Sequence, residues 1–111
     1  MNKIYAKGDV VVLPFPYTDL LSIKKRPALV IAALKGNNII LAQITTNQRD
    51  DEDLISLTKK DFASGFLKCD SFIMASLIFT ADNSRVEYKA GRIKQEKIKE
   101  VQNKLCEIFT R

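Results

Sequence analysis

Apolar residues along this chain fall mostly into short runs bounded by turn residues, with one helical stripe at the end. Val10-Val11-Val12-Leu13 is a β-branched run that meets Pro14-Phe15-Pro16, where two prolines forbid helix and remove ladder donors, so the strand is expected to stop there. Tyr17 to Lys25 reads as a loop. Ala28 to Leu34 is continuously apolar, the pattern of a strand covered on both faces. Lys35-Gly36-Asn37-Asn38 is turn chemistry, so Ile39 to Thr46 is the returning arm of a hairpin. After a polar loop from Asn47 to Asp53, Leu54 to Leu57 suits a short strand, Lys60 to Gly65 one helical turn, and Phe72 to Phe79 a further strand. Arg85 to Tyr88, alternating and charged, reads as an edge strand. Ile98, Val101, Leu105, Ile108 and Phe109 lie on one stripe of an α-helix running from about Lys94 to Phe109, and Glu100–Lys104 has the spacing of an i,i+4 ion pair.

Five or six short strands and one amphipathic helix predict a mainly β (α+β) fold: a small, strongly bent antiparallel sheet or partial barrel, SH3-like or OB-like, with the C-terminal helix docked on it. At 111 residues the chain suits a single domain, residues 1–111, large enough for one core. The longest apolar run, Ala28 to Leu34, is far short of the ~20 residues that span a bilayer, and the N-terminus lacks the apolar stretch of a signal peptide. Cytoplasmic residence with reduced cysteines is the expectation, and a Cys69–Cys106 disulfide the competing reading.

Charge adds a direction. The net charge is +5, and residues 1–26 carry five basic and two acidic side chains, residues 85–111 eight and four. Either a phosphate-attracting face or an ordinary solvated surface fits that balance. There is no histidine, which excludes Ser-His-Asp and Cys-His mechanisms and His-ligated metal, and two cysteines are too few for a four-cysteine zinc site. Acid–base or charge-stabilising chemistry must come from other groups.

Three segments qualify. In Lys24-Lys25-Arg26-Pro27, the proline restrains Arg26 to an extended backbone, suiting its guanidinium to a phosphate. Thr45-Thr46-Asn47-Gln48 brings four neutral donor–acceptor side chains to the end of the other hairpin arm. With the turn at the far end, Arg26 and Thr45 emerge near the same sheet edge. In Phe15-Pro16-Tyr17-Thr18-Asp19, Tyr17 has the ring to stack a base, and Asp19 the carboxylate to accept a proton or hold an arginine. Each segment also reads as plain loop, strand-end or turn chemistry.

Taken in order, these segments resemble the MazF/PemK family of type II toxin–antitoxin toxins. Gly8-Asp9-Val10-Val11 is similar to the family's opening, Lys25-Arg26-Pro27-Ala28-Leu29-Val30-Ile31 to its Arg-Pro strand, and Ile44-Thr45-Thr46 to the strand end that follows. Gly65-Phe66-Leu67, Ser71, Ile78-Phe79-Thr80 and the C-terminal helix keep the family's order, with a PemK-like cast. The resemblance implies an SH3-like barrel, a homodimer, and a metal-independent endoribonuclease without cofactor. Such an enzyme cuts single-stranded RNA to 2′,3′-cyclic phosphate and 5′-hydroxyl ends and is blocked by an acidic cognate antitoxin. It puts the catalytic arginine on Arg26 and the catalytic threonine on Thr45. Tyr17, Thr18, Lys24, Lys25, Thr46, Asn47 and Gln48 become RNA contacts and Asp19 a possible general base. The alternative is a relative of weak or no activity that binds RNA or an antitoxin-like partner without cleaving.

Overall fold

The computed structural model describes residues 4–16 and 23–111. Seven antiparallel strands, β1 Asp9–Pro16, β2 Ile23–Ala33, β3 Asn38–Thr45, β4 Leu54–Leu57, β5 Phe62–Gly65, β6 Ser71–Asp82 and β7 Tyr88–Ile93, precede one helix, α1 Gln95–Thr110. They form one sheet in the order β4-β6-β3-β2-β1-β7-β5, curled into a half-barrel, as the bent-sheet expectation requires. A 3-10 turn, Lys59–Asp61, links the two edge strands, β4 and β5, and Asp61 is tied to the start of α1 by the Lys94 N–H donating to its carbonyl at 2.8 Å.

The sheet buries both faces at its centre. Val10, Leu29, Ala42, Ile44, Ile73 and Ile93 point inward to Ile98 and Val101 of α1. On the outer face, Val11, Leu13, Ala28, Val30, Ile39 and Leu41 pack with Tyr5 and Val86. This double cover is why Ala28 to Leu34 carries no polar alternation. Leu29 is fully buried, and truncating it to Ala is expected to cost about 2–5 kcal/mol. The helical stripe docks most deeply through its first half: Ile98 and Val101 are buried, Leu105 and Ile108 pack partly buried against the same core, and Phe109 is exposed.

Several local expectations fail for physical reasons. β1 does not stop at Pro14 but pairs with β2 through Pro14↔Lys25 and Pro16↔Ile23. Val12 accepts from the Glu87 N–H on its β7 side, so Pro14 and Pro16, two and four residues on, aim their missing N–H to that same side. The β1–β7 pairing has ended there, at Val12↔Tyr88, so no ladder bond is lost. β2 correspondingly starts at Ile23, which puts Lys24 to Pro27 inside a strand. The helical turn expected at Lys60 to Gly65 is instead the 3-10 turn followed by β5. Asn83–Arg85 is a 3-10 turn capped by Asp82, which accepts from the Ser84 N–H. The strand after it, β7, is interior, between β1 and β5. The expected Glu100–Lys104 pair gives way to i,i+3 pairs, Lys97–Glu100 at 2.8 Å and Lys104–Glu107 at 2.9 Å. Cys69 and Cys106 are both exposed and free, so the alternative disulfide is not formed.

Candidate active site

Register brings two of the sequence candidates together. β2 and β3 pair through Leu29↔Ala42 and Ala28↔Gln43, and the pairing stops there, next to Pro27, which has no N–H to continue it. Carried two residues further, the same register puts Arg26 level with Thr45. Arg26 itself faces Leu13 on β1, and Thr45 faces Phe72 on β6. Arg26 alternates with Ala28 and Val30, and Thr45 with Leu41 and Ile39, whose side chains all belong to the outer-face cluster. The two candidates therefore share one face of adjacent strands, Thr45 at the end of β3. Arg26 stands inside β2, not in the loop before it, and is half-buried; Thr45 is buried.

The Thr45 hydroxyl oxygen accepts a hydrogen bond from the Asn47 N–H at 3.1 Å. This local bond turns the chain out of β3 and orients the hydroxyl. Gln43, two residues before Thr45, lies on the same face, and both Arg26 and Gln43 make interactions of their own. Beside them runs an open groove of about 380 Å³, lined by Leu13, Phe15, Gln43, Leu77, Phe79, Thr80 and Arg85 among others. Phe15 and Phe79 meet edge to face in it, with ring centroids 5.1 Å apart. The groove opens where β6 bulges: Gln43 pairs with Met74 but its neighbour Ala42 pairs with Ile78, so Ala75, Ser76 and Leu77 are extra residues with no opposite number on β3.

The other candidates divide. Lys24 is exposed and alternates onto the Arg26 face; Thr46, Asn47 and Gln48 are exposed just beyond Thr45. Lys25 points to the opposite face and forms an ion pair with Glu87 at 2.8 Å, so it does not join Arg26. The hydrogen bond and charge of Glu87 raise the Lys25 pKa above its ordinary value. Tyr17, Thr18 and Asp19 lie outside the described residues. Sequence reading missed Gln43 and Arg85 on this face. Gln43 was findable, since a strand with Thr45 on one face puts residue 43 beside it. Arg85 was not, because its position depends on the 3-10 turn after β6.

A family model described as PemK-like, MazF-like toxin of type II toxin–antitoxin system matches residues 6–109. The sequence finds no match among proteins of curated function. Among solved structures, the chain is similar to MazF in the MazE–MazF complex from Deinococcus radiodurans, with a TM-score of 0.76 at 19% identity over 96% of this chain and 97% of that one. It is similar, with a TM-score of 0.76 at 13% identity, to an endoribonuclease in complex with its cognate antitoxin from a mycobacterial species, over 96% and 95% of the two chains. Mycobacterium tuberculosis toxin MazF-mt6 aligns with a TM-score of 0.72 at 14% identity, over 91% and 95%. At such identities the likeness of structures speaks to the fold.

Proposed function

Because this chain belongs to the PemK-like, MazF-like family of type II toxin–antitoxin toxins, we propose that it is an endoribonuclease that cleaves single-stranded RNA with Arg26 and Thr45 as its catalytic pair. The observation that carries this reading is that both residues lie on one face of adjacent strands, level when the β2–β3 register is extended past Ala28↔Gln43. A similar mycobacterial structure is an endoribonuclease bound to its cognate antitoxin, which supports both the activity and an antitoxin partner.

In this reaction the 2′-oxygen of the RNA attacks the adjacent phosphorus and the bond to the 5′-oxygen breaks. The 2′-proton leaves to a base, and the 5′-oxygen gains one as it departs. The products are a 2′,3′-cyclic phosphate and a 5′-hydroxyl. Negative charge builds on the non-bridging oxygens of the pentacovalent phosphorane, where fixed donors act most strongly. Arg26 presents a forked, cationic donor to those oxygens from within β2. Thr45 adds a hydroxyl donor, its oxygen already oriented by the Asn47 N–H. A guanidinium has no free lone pair with which to take up a proton, so the 2′-proton goes to another group; Asp19 is the sequence candidate. Lys24, Thr46, Asn47 and Gln48 border the pair and contact the flanking chain, with Tyr17 and Thr18 assigned from sequence alone. The enzyme works as a homodimer in the cytoplasm, needs no metal or cofactor, and is inhibited by an antitoxin whose acidic segment competes for the cationic strand ends.

The test is a digest of single-stranded RNA in EDTA, with the new ends analysed chemically. Cyclic phosphate and 5′-hydroxyl ends are expected. Folded wild type that binds RNA with a steep salt dependence yet leaves it intact would support a binding-only relative instead.

A further inference from the structure

The row of paired residues that crosses the site continues past it. Thr45 pairs with Phe72 on β6, and Phe72 pairs with Ser56 on β4. Past this row β6 reads backward into Lys68, and β4 runs forward into Lys59, which opens the 3-10 turn leading to β5. β4 stands two strand spacings from β3, about 10 Å. Phe66, 59% exposed and two residues before Lys68 in the chain, has the Lys59 Nζ 6.0 Å from its ring centroid. Neither Lys59 nor Lys68 forms an ion pair among the described residues.

An exposed phenylalanine on a loose loop would say little, but this one is held from both sides. Gly65 has φ +70°, and a Cβ there would come within 2.2 Å of the Ala90 carbonyl oxygen, so only glycine lets the chain lie this close to β7. Leu67, on the other side, packs against the main core. The ring is thus projected into solvent by two anchored neighbours while a cation stands over it. Of the nearby carboxylates, Asp61 is engaged by the Thr58 N–H at 2.8 Å and by Lys97 at 3.7 Å, and Asp70 is exposed.

We propose that Phe66, Lys59 and Lys68 form an outlying subsite for single-stranded RNA, where a base flanking the cut stacks on Phe66 and its phosphates meet the two lysines. A rigid aromatic face with flanking cations is the arrangement that holds unpaired nucleotides without reading their identity. The subsite rests on the endoribonuclease reading for its substrate, yet its binding can be measured without cleavage.

The experiment uses the full chain with Arg26→Ala to suppress cutting, a labelled oligouridylate, and an abasic oligoribose phosphate of equal length. Affinity is read as a function of salt. The Arg26→Ala chain is expected to bind oligouridylate more tightly than the abasic strand. Adding Phe66→Ser weakens oligouridylate binding roughly tenfold and leaves the abasic strand unaffected. Adding Lys59→Gln and Lys68→Gln instead lowers the slope of log affinity against log salt by about 1.4, at roughly 0.7 for each phosphate no longer neutralised. An unchanged slope with no preference for the based strand would overturn the subsite. So would light scattering in which Phe66→Ser alters the association state, marking a contact between copies. Weakened binding of polyglutamate with RNA binding intact would assign the patch to an acidic protein and equally overturn it. Wild-type cleavage is scored separately. Subsite effects without cleavage sink the endoribonuclease reading alone, and cleavage without subsite effects sinks the subsite alone.

Discussion

The two ends of the β1–β2 pair handle charge in opposite ways. At one end, Asp9 is buried, its carboxylate shared by Arg92 at 3.0 Å, Lys89 at 3.1 Å and the Ala6 N–H at 2.9 Å. Every strong interaction there is internal, and its work is to fasten the N-terminal segment to β7. At the other end, Lys24 is exposed and Arg26 half-buried on one face of β2, while Lys25 on the opposite face pairs with Glu87. An arginine in the first setting is a structural counter-ion; in the second it is the residue proposed to face a phosphate. Side-chain type alone does not separate the two.

The same contrast revises the reading of net charge. Residues 85–111 carry an excess of positive charge, but Lys89 and Arg92 serve Asp9, Lys97 and Lys104 serve glutamates on their own helix, and Arg111 holds Asp53 at 2.9 Å. The basic C-terminal segment is largely internal stitching. The smaller excess in residues 1–26 includes the arginine of the proposed site.

Substitutions at the two ends put this contrast at risk. Arg26→Ala is expected to slow cleavage by about 10³-fold or more with folding intact, since the side chain is only half-buried; single-turnover rates and a melting curve check both halves. Thr45→Val is expected to cost about 10²-fold, since it removes one donor and the acceptor for the Asn47 N–H. A rate equal to wild type would take Thr45 out of the mechanism. Asp9→Asn reverses the pattern: about 1–3 kcal/mol of stability lost in urea unfolding, with cleavage retained.

Lys25→Ala breaks only an exposed pair with Glu87, so its urea unfolding midpoint is expected to stay close to that of wild type. Asp82 gives the smallest effect, through pH. The Ser84 N–H holds its carboxyl below the usual carboxylate range, so the folded pKa lies under the unfolded one. Its stabilisation is complete above the ordinary carboxylate pKa and disappears as pH falls through the lowered value. Asp82→Asn is expected to flatten the acid limb of the stability curve slightly and leave neutral stability nearly unchanged.

Much of this was legible in the sequence. The Ala28–Leu34 run, the hairpin turn at Gly36 and the terminal helix carry strong local signals, and the hairpin alone put Arg26 and Thr45 at one edge. What stayed hidden depends on neighbours distant in sequence. Two prolines can continue β1 only because β7 has already ended beside them, and that shifts Lys24 to Pro27 from loop into strand. Lys25 looked like a companion of Arg26 until strand alternation turned it to Glu87 on the other face. Phe66 carried no signal as a surface residue, because its exposure follows from the contact between Gly65 and the β7 backbone.

The decisive comparison sets the two arginines side by side: single-turnover RNA cleavage by Arg26→Ala and by Arg92→Ala, each confirmed folded by its melting curve. Arg26→Ala is predicted to fall at least about 10³-fold while Arg92→Ala stays within about threefold of wild type. Cleavage that survives the loss of Arg26, or that is lost with Arg92 in a folded protein, would contradict the assignment of Arg26 to the phosphate.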